Sequence, residues 1–196
     1  MSREKLPHLV YLHGFLSSPA SKKARETALW MQEQGLTAQY HCPELPPTPL
    51  AVKTQLQQLF AGLAGEAICV VGSSLGGFYA TWAAEEFGCR AVLINPAVRP
   101  YDLLKDYIGP QRNYQTGEIQ MVDASFADDL RALERQPRHP ENYWLLVQTG
   151  DETLDYRAAV AFYHDCRQSI TMGGDHGYAG YAGILPHIWK FARGES

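Results

Sequence analysis

An α/β fold with a doubly wound, mostly parallel sheet of about six strands is what this 196-residue chain predicts. Three features carry that expectation. Short apolar runs alternate with longer segments of helical spacing, which is the βαβα rhythm. Two of the runs, Ala67 to Val71 and Ala91 to Asn95, are apolar almost throughout, as strands of a parallel sheet covered on both faces must be. Gly72-Ser73-Ser74-Leu75-Gly76 then links the first of these runs directly to a helix-compatible segment, the tight strand-to-helix turn on which such folds mount a nucleophile.

Taken in order, the strands predicted from Val, Ile, Leu and Tyr content are His8 to Leu12, Ala38 to Cys42, Ala67 to Val71, Ala91 to Asn95, Tyr143 to Thr149 and Arg167 to Thr171. Ala24, Ala28, Leu29 and Met31 have helical spacing ahead of the second strand. Val52, Leu56, Leu59, Phe60 and Leu63 repeat that spacing ahead of the third, and Leu75 to Phe87 follows it. A helix beginning at Tyr156, with Asp155 in position to cap it, follows the fifth strand. The rhythm breaks only from Val98 to Asn142, about 45 residues, too long for a plain connection. Asp102 to Ile108 and Ser125 to Arg135 read as helical, with the polar stretch Gly109 to Gly117 between them. The expectation is one domain over residues 1–196 with a small helical lid insertion at about 98–142, the alternative being an excursion with no role at the site.

Composition excludes several classes. With 17 Lys+Arg against 21 Asp+Glu the formal charge is −4, which gives no electrostatic reason to bind nucleic acid or an anionic membrane. Lys22, Lys23 and Arg25 form the only basic cluster, read as a solvated helix face in preference to a ligand patch. Cys42, Cys69, Cys89 and Cys166 make no C-x-x-C pair, so neither a metal site nor a redox motif is expected. Met1 to Pro7 lacks the apolar core of a signal peptide, and no run is long enough to span a bilayer. These observations predict a soluble, cytoplasmic protein; they leave its oligomeric state open.

A serine hydroxyl is a weak nucleophile at neutral pH and needs a histidine base, a carboxylate to orient that base, and donors for the oxyanion. Ser74 is the candidate nucleophile, with Gly72 and Gly76 allowing strand and helix to approach. His176 alone among seven histidines lies just past the last predicted strand, in a Gly-rich loop, and is the candidate base. Asp151 ends the run Trp144 to Asp151 and is the favoured acid. Glu152 and Asp155 compete with it, and Asp175 is assigned to the turn. The order Ser74, Asp151, His176 is that of α/β-hydrolases. The backbone N–H groups of Leu75 and Phe15 are the candidate oxyanion donors, the latter on the His13-Gly14-Phe15 turn, where His13 supports the loop and Gly14 permits it.

With these elements in order the chain resembles the α/β-hydrolases, and in detail the small bacterial YqiA/YcfP-type esterases. The resemblance runs through His13-Gly14-Phe15 with Ser17-Ser18-Pro19, Pro43-Glu44-Leu45-Pro46-Pro47, Gly72 to Gly77 with Tyr79-Ala80-Thr81, and Asn95 to Pro100. It continues through Gln148 to Glu152 with Asp155-Tyr156-Arg157, and Gly173 to His176. It implies an esterase or thioesterase acting through Ser74, Asp151 and His176 on a small acyl ester or thioester, with no cofactor and no metal. It also implies a sheet without the superfamily's N-terminal hairpin, since the first strand here corresponds to its third. Acyl transfer on the same triad and non-catalytic ligand binding are the alternatives.

Arg99 and Tyr178 are candidate substrate contacts. For Arg99 the alternative is an anchor at the base of the lid. For Tyr178, as for Tyr101, Tyr107, Tyr114 and Phe126, the choice is between pocket wall and packed core.

Overall fold

The computed structural model describes residues 5–195. Met1 to Glu4, part of the segment read for a leader, lie outside them. The strands are β1 (His8–Leu12), β2 (Tyr40–His41), β3 (Ile68–Ser73), β4 (Arg90–Ile94), β5 (Gly109–Arg112), β6 (Ile119–Val122), β7 (Tyr143–Gln148) and β8 (Arg167–Thr171). The helices are α1 (Lys22–Glu33), α2 (Pro49–Gly62), α3 (Leu75–Phe87), α4 (Pro100–Leu103), α5 (Ser125–Leu133), α6 (Tyr156–Phe162) and α7 (Tyr181–Ala192). Six strands form one sheet in the order β2-β1-β3-β4-β7-β8, every pair of them parallel. Among the described residues no strand precedes β1.

Alternation along the strands sorts the core into two layers. Val10, Leu12, Val70, Ala91, Leu93, Leu145 and Val147 point toward α2, α3 and α6. Leu9, Tyr11, Cys69, Val71, Val92, Ile94, Trp144 and Leu146 point toward α1 and α7. Burial on both faces is why these strands carry no polar alternation. In α1 the buried stripe runs through Ala24, Thr27 and Met31, whereas Leu29, assigned to the apolar pattern, is exposed. Thr27 fits inside because its hydroxyl bonds the carbonyl of Lys23 and the hydroxyl of Tyr181.

Two elements, the stretch after residue 108 and the second strand, depart from the sequence expectation. The polar stretch after residue 108 begins an antiparallel hairpin, β5 with β6, in place of a plain helix–helix link. The C-terminal segment, to which no element is assigned from sequence, forms α7 with Pro186 in its interior. The second strand is also shorter than Ala38 to Cys42, because Thr37–Gln39 makes a 3-10 turn.

The chain runs from β1 outward to β2 and returns on the other side of β1 to β3. The carboxyl ends of β1 and β3 therefore form a topological switch point, the crevice where ligands bind in open α/β sheets. The excursion between β4 and β7 folds over it. Tyr114 N–H donates to the carbonyl of Leu16 (2.9 Å), Asn113 Nδ2 to that of Ser17 (3.0 Å) and Gln120 Nε2 to that of Pro47 (2.6 Å). The Phe15 ring packs edge-on against Tyr107 and Phe126.

Candidate active site

Ser74 stands at the N-terminus of α3 with φ 55° and ψ −123°, a conformation that side chains disfavour. Three backbone bonds hold it there. Its N–H donates to Ile94 (3.1 Å), and its carbonyl accepts from Gly77 (2.9 Å) and Ala97 (3.0 Å). Among the described residues, the other non-glycine residues with positive φ are Leu16, Asn95, Arg99 and Tyr178, and all lie in loops that follow the carboxyl ends of strands. Gly14 passes so close that a Cβ there would stand 3.3 Å from Ser74 Cβ and 3.7 Å from its Oγ.

Asp151 and His176 meet although 25 residues separate them, with Nδ1 at 2.8 and 3.0 Å from the two carboxylate oxygens. The Asp151 side chain is 2% exposed, and Oδ1 also accepts the N–H groups of Thr153 (2.9 Å) and Leu154 (2.8 Å). Burial works to raise this carboxyl. The hydrogen bonds from His176, Leu154 and Thr153 together outweigh it and hold the group below its ordinary value. Of the competing acids, Glu152 accepts the backbone N–H of His176 (3.0 Å) and does not touch the ring, while Asp155 caps α6 through Arg157 N–H. Lys23 secures the loop from the far side, donating to the carbonyl of Gly177 (2.9 Å).

Ser74 and His176 line one cavity of about 660 Å³, together with Phe15, Leu75, Tyr11 and Leu154. Leu103, Leu104, Tyr107 and Tyr114 of the excursion form its apolar roof, and Ser21, Lys22 and Lys23 its polar flank. Among the described residues, the N–H groups of Phe15 and Leu75 have no protein acceptor and the Ser74 hydroxyl has no hydrogen-bond partner. Two expected contacts lie elsewhere. Arg99 is outside this lining, because its guanidinium pairs with Asp102 (3.0 Å) and sits over the Tyr101 ring. Tyr178 is buried in the core shared with α1 and α7. Tyr101 and Phe126 are likewise buried, with the Tyr101 hydroxyl bonding Glu134 (2.6 Å). The buried amides of Asn95 and Gln148, which composition alone does not single out, bond the loop of His176. Among the described residues, no three His, Cys, Asp or Glu side chains cluster as metal ligands would, and no helix is long and apolar enough to cross a membrane.

His13 is spent on structure. Its Nε2 accepts the Leu45 N–H (3.2 Å), which places the proton on Nδ1, 3.1 Å from the carbonyl of Gly14. Burial holds this imidazole below its ordinary value, with the Gly14 bond opposing. In the unfolded chain His13 takes up a proton near pH 6.5, whereas in the fold it resists protonation until lower pH. The unfolded state therefore binds more protons in that window, and stability falls as pH falls through it. His41, also lowered chiefly by burial, contributes with the same sign. The drop in melting temperature between pH 7.5 and 5.5 is expected to be smaller in His13→Gln than in wild type. An equal drop would remove His13 from the account.

A family model described as "Uncharacterised protein family (UPF0227)" matches residues 8–193. Among solved structures, mouse alpha/beta hydrolase domain-containing protein 10 aligns with a TM-score of 0.71 at 15% identity, covering 96% of this chain and 90% of that one. Est1E from Butyrivibrio proteoclasticus aligns at 0.69 and 16%, over 96% and 88% of the two chains. The esterase domain of a Rhodothermus marinus protein aligns at 0.67 and 16%, over 98% and 89%. At these identities the likeness is one of fold.

Proposed function

The chain belongs to the UPF0227, YqiA-like family and has the α/β-hydrolase fold, and from that premise we propose that it is a serine hydrolase cleaving carboxylic esters or acyl thioesters. The observation that carries the proposal is the convergence on one cavity of Ser74, of His176 backed by the buried Asp151, and of two residues whose backbone N–H groups lack acceptors. Est1E, a neighbour in fold, is known with ferulic acid bound, which fits a small acyl substrate for this cavity too.

Ser74 Oγ attacks the acyl carbon while His176 Nε2 takes its proton. Asp151, bonded to Nδ1, fixes the ring tautomer and stabilises the imidazolium that forms. The developing oxyanion is received by the N–H groups of Phe15 and Leu75, where the positive end of the α3 dipole adds to their field. His176 then delivers its proton to the departing alcohol or thiol. Water, activated by the same imidazole, releases the acid and regenerates Ser74. Every step is served by the chain's own groups, so the reaction as written needs no cofactor. Residues 98–142 act as the lid, and their apolar roof takes the acyl chain.

Fluorophosphonate labelling followed by intact-mass and peptide analysis tests this. A single adduct on Ser74 is expected, and a folded protein that stays unlabelled and hydrolyses no ester or thioester overturns the reading.

Asp151→Asn is expected to lower kcat by about 10³- to 10⁴-fold. Its Oδ1 can still accept from Thr153 and Leu154, so the turn survives, but its amide faces Nδ1 with a donor and forces the wrong tautomer. Ester hydrolysis rates and thermal melts of the variant check both halves. A kcat within tenfold of wild type would exclude Asp151 as the orienting acid.

A further inference from the structure

Asn95 and Gln148 are amides buried to 2% and 3% exposure at the carboxyl ends of β4 and β7, with no part in the steps above. Buried amides are costly unless their hydrogen bonds are satisfied, and these two are bonded to the loop of His176. Asn95 Nδ2 donates to the carbonyls of Asp175 (3.0 Å) and His176 (3.1 Å), while its Oδ1 accepts the Gln148 N–H (3.0 Å). Gln148 Oε1 accepts the N–H groups of Asp175 (3.1 Å) and Ala179 (2.8 Å), and its Nε2 donates to the Ala179 carbonyl (2.8 Å).

The same pair reaches the other two loops through the backbone. Gln148 O accepts the Asp151 N–H (3.2 Å), and Asn95 stands in the short segment whose Ile94 O and Ala97 N–H hold Ser74. Asn95 itself has φ 40°, a conformation that asparagine and aspartate tolerate better than most side chains.

We propose that Asn95 and Gln148 are positioning residues that set where His176 stands relative to Ser74 and Asp151. The proposal rests on the serine-hydrolase reading for its catalytic consequence, and on the amide contacts alone for its geometry. Core stability could come from apolar side chains at these two positions. What apolar groups cannot supply is directed bonding to both the N–H and C=O groups of one loop.

Asn95→Asp is the discriminating variant. It keeps the shape, the tolerated backbone and the acceptor for Gln148 N–H, but turns an acceptor toward the carbonyls of Asp175 and His176. The expected result is a kcat lowered by about 10- to 100-fold with KM within about twofold, and displaced NMR signals of the His176 imidazole, above all its Nδ1–H. Gln148→Glu, which retains the Oε1 acceptor and loses only the donor to Ala179, is the second variant should the first not fold. A folded variant with wild-type kcat and unmoved His176 signals overturns the proposal. So does a loss of activity that merely parallels loss of folded protein, with the imidazole signals unchanged. If wild type neither hydrolyses esters nor labels with fluorophosphonate, the hydrolase reading fails by itself. Displaced His176 signals in the variants would still uphold the positioning role.

Discussion

Replacing Ser74 by alanine is expected to abolish ester turnover by about 10³- to 10⁶-fold while leaving the melting temperature nearly unchanged. The two halves have separate causes. Oγ is the only heavy atom removed, and within the described residues it has no hydrogen-bond partner, so no hydrogen bond is lost. The strain at φ 55° is borne by the backbone and is the same for alanine as for serine. Glycine distinguishes backbone strain from side-chain chemistry. Relief of about 1–3 kcal/mol of strain, less about 0.5–1 kcal/mol for glycine's added chain entropy, should leave Ser74→Gly more stable than wild type and equally inactive. Rates on p-nitrophenyl esters, with thermal melts of all three proteins, test the pair. Turnover retained by clean Ser74→Ala would sink the mechanism. A Ser74→Gly protein that melts earlier than wild type would show that the elbow stores no strain.

The sheet and the positions of Ser74, Asp151 and His176 were legible because each depends on a local signal: an apolar run, then the turn that ends it. The hairpin β5–β6 was not. Gly109 and Pro110 open its first strand, neither strand alternates cleanly, and its turn depends on Asn113, whose side chain accepts the N–H groups of Gln115 and Thr116. Asn113 with Gly117 at φ 77° was the available cue. Arg99 shows a different limit. A cation shortly after a strand lies near the crevice in sequence terms, yet Asp102 three residues on and the adjacent Tyr101 ring draw it to the base of α4. The side-chain bonding of Asn95 and Gln148 is tertiary throughout, since every partner of the two amides lies more than 25 positions away.

Gly76→Ala should be strongly destabilising. A Cβ at 76 would run into the carbonyl of Leu12 and come within 2.6 Å of that of His13, and one at Gly72 would meet the carbonyl of Gly76 and approach Gly77 Cα to 2.7 Å. Those neighbours are backbone atoms of β1, of the residue that follows it and of α3, so no rotamer can make room. The helix must lift from a sheet face whose Leu12, Val70 and Leu93 are fully buried. Overpacking that a core can absorb costs about 1–3 kcal/mol, and a forced helix displacement should reach about 4 kcal/mol or more, a large share of the 5–15 kcal/mol typical of a domain. Gly62→Ala, in α2 with open space around the position, supplies the control and should be neutral or stabilising by up to about 1 kcal/mol. Denaturant unfolding of both variants measures the difference. Near-equal midpoints would mean that α3 can be displaced cheaply. Because Gly76 sets how closely Leu75 approaches the loop of Phe15, whatever folded Gly76→Ala remains should also hold the two proposed oxyanion donors too far apart. Its kcat per folded molecule should then fall along with its stability.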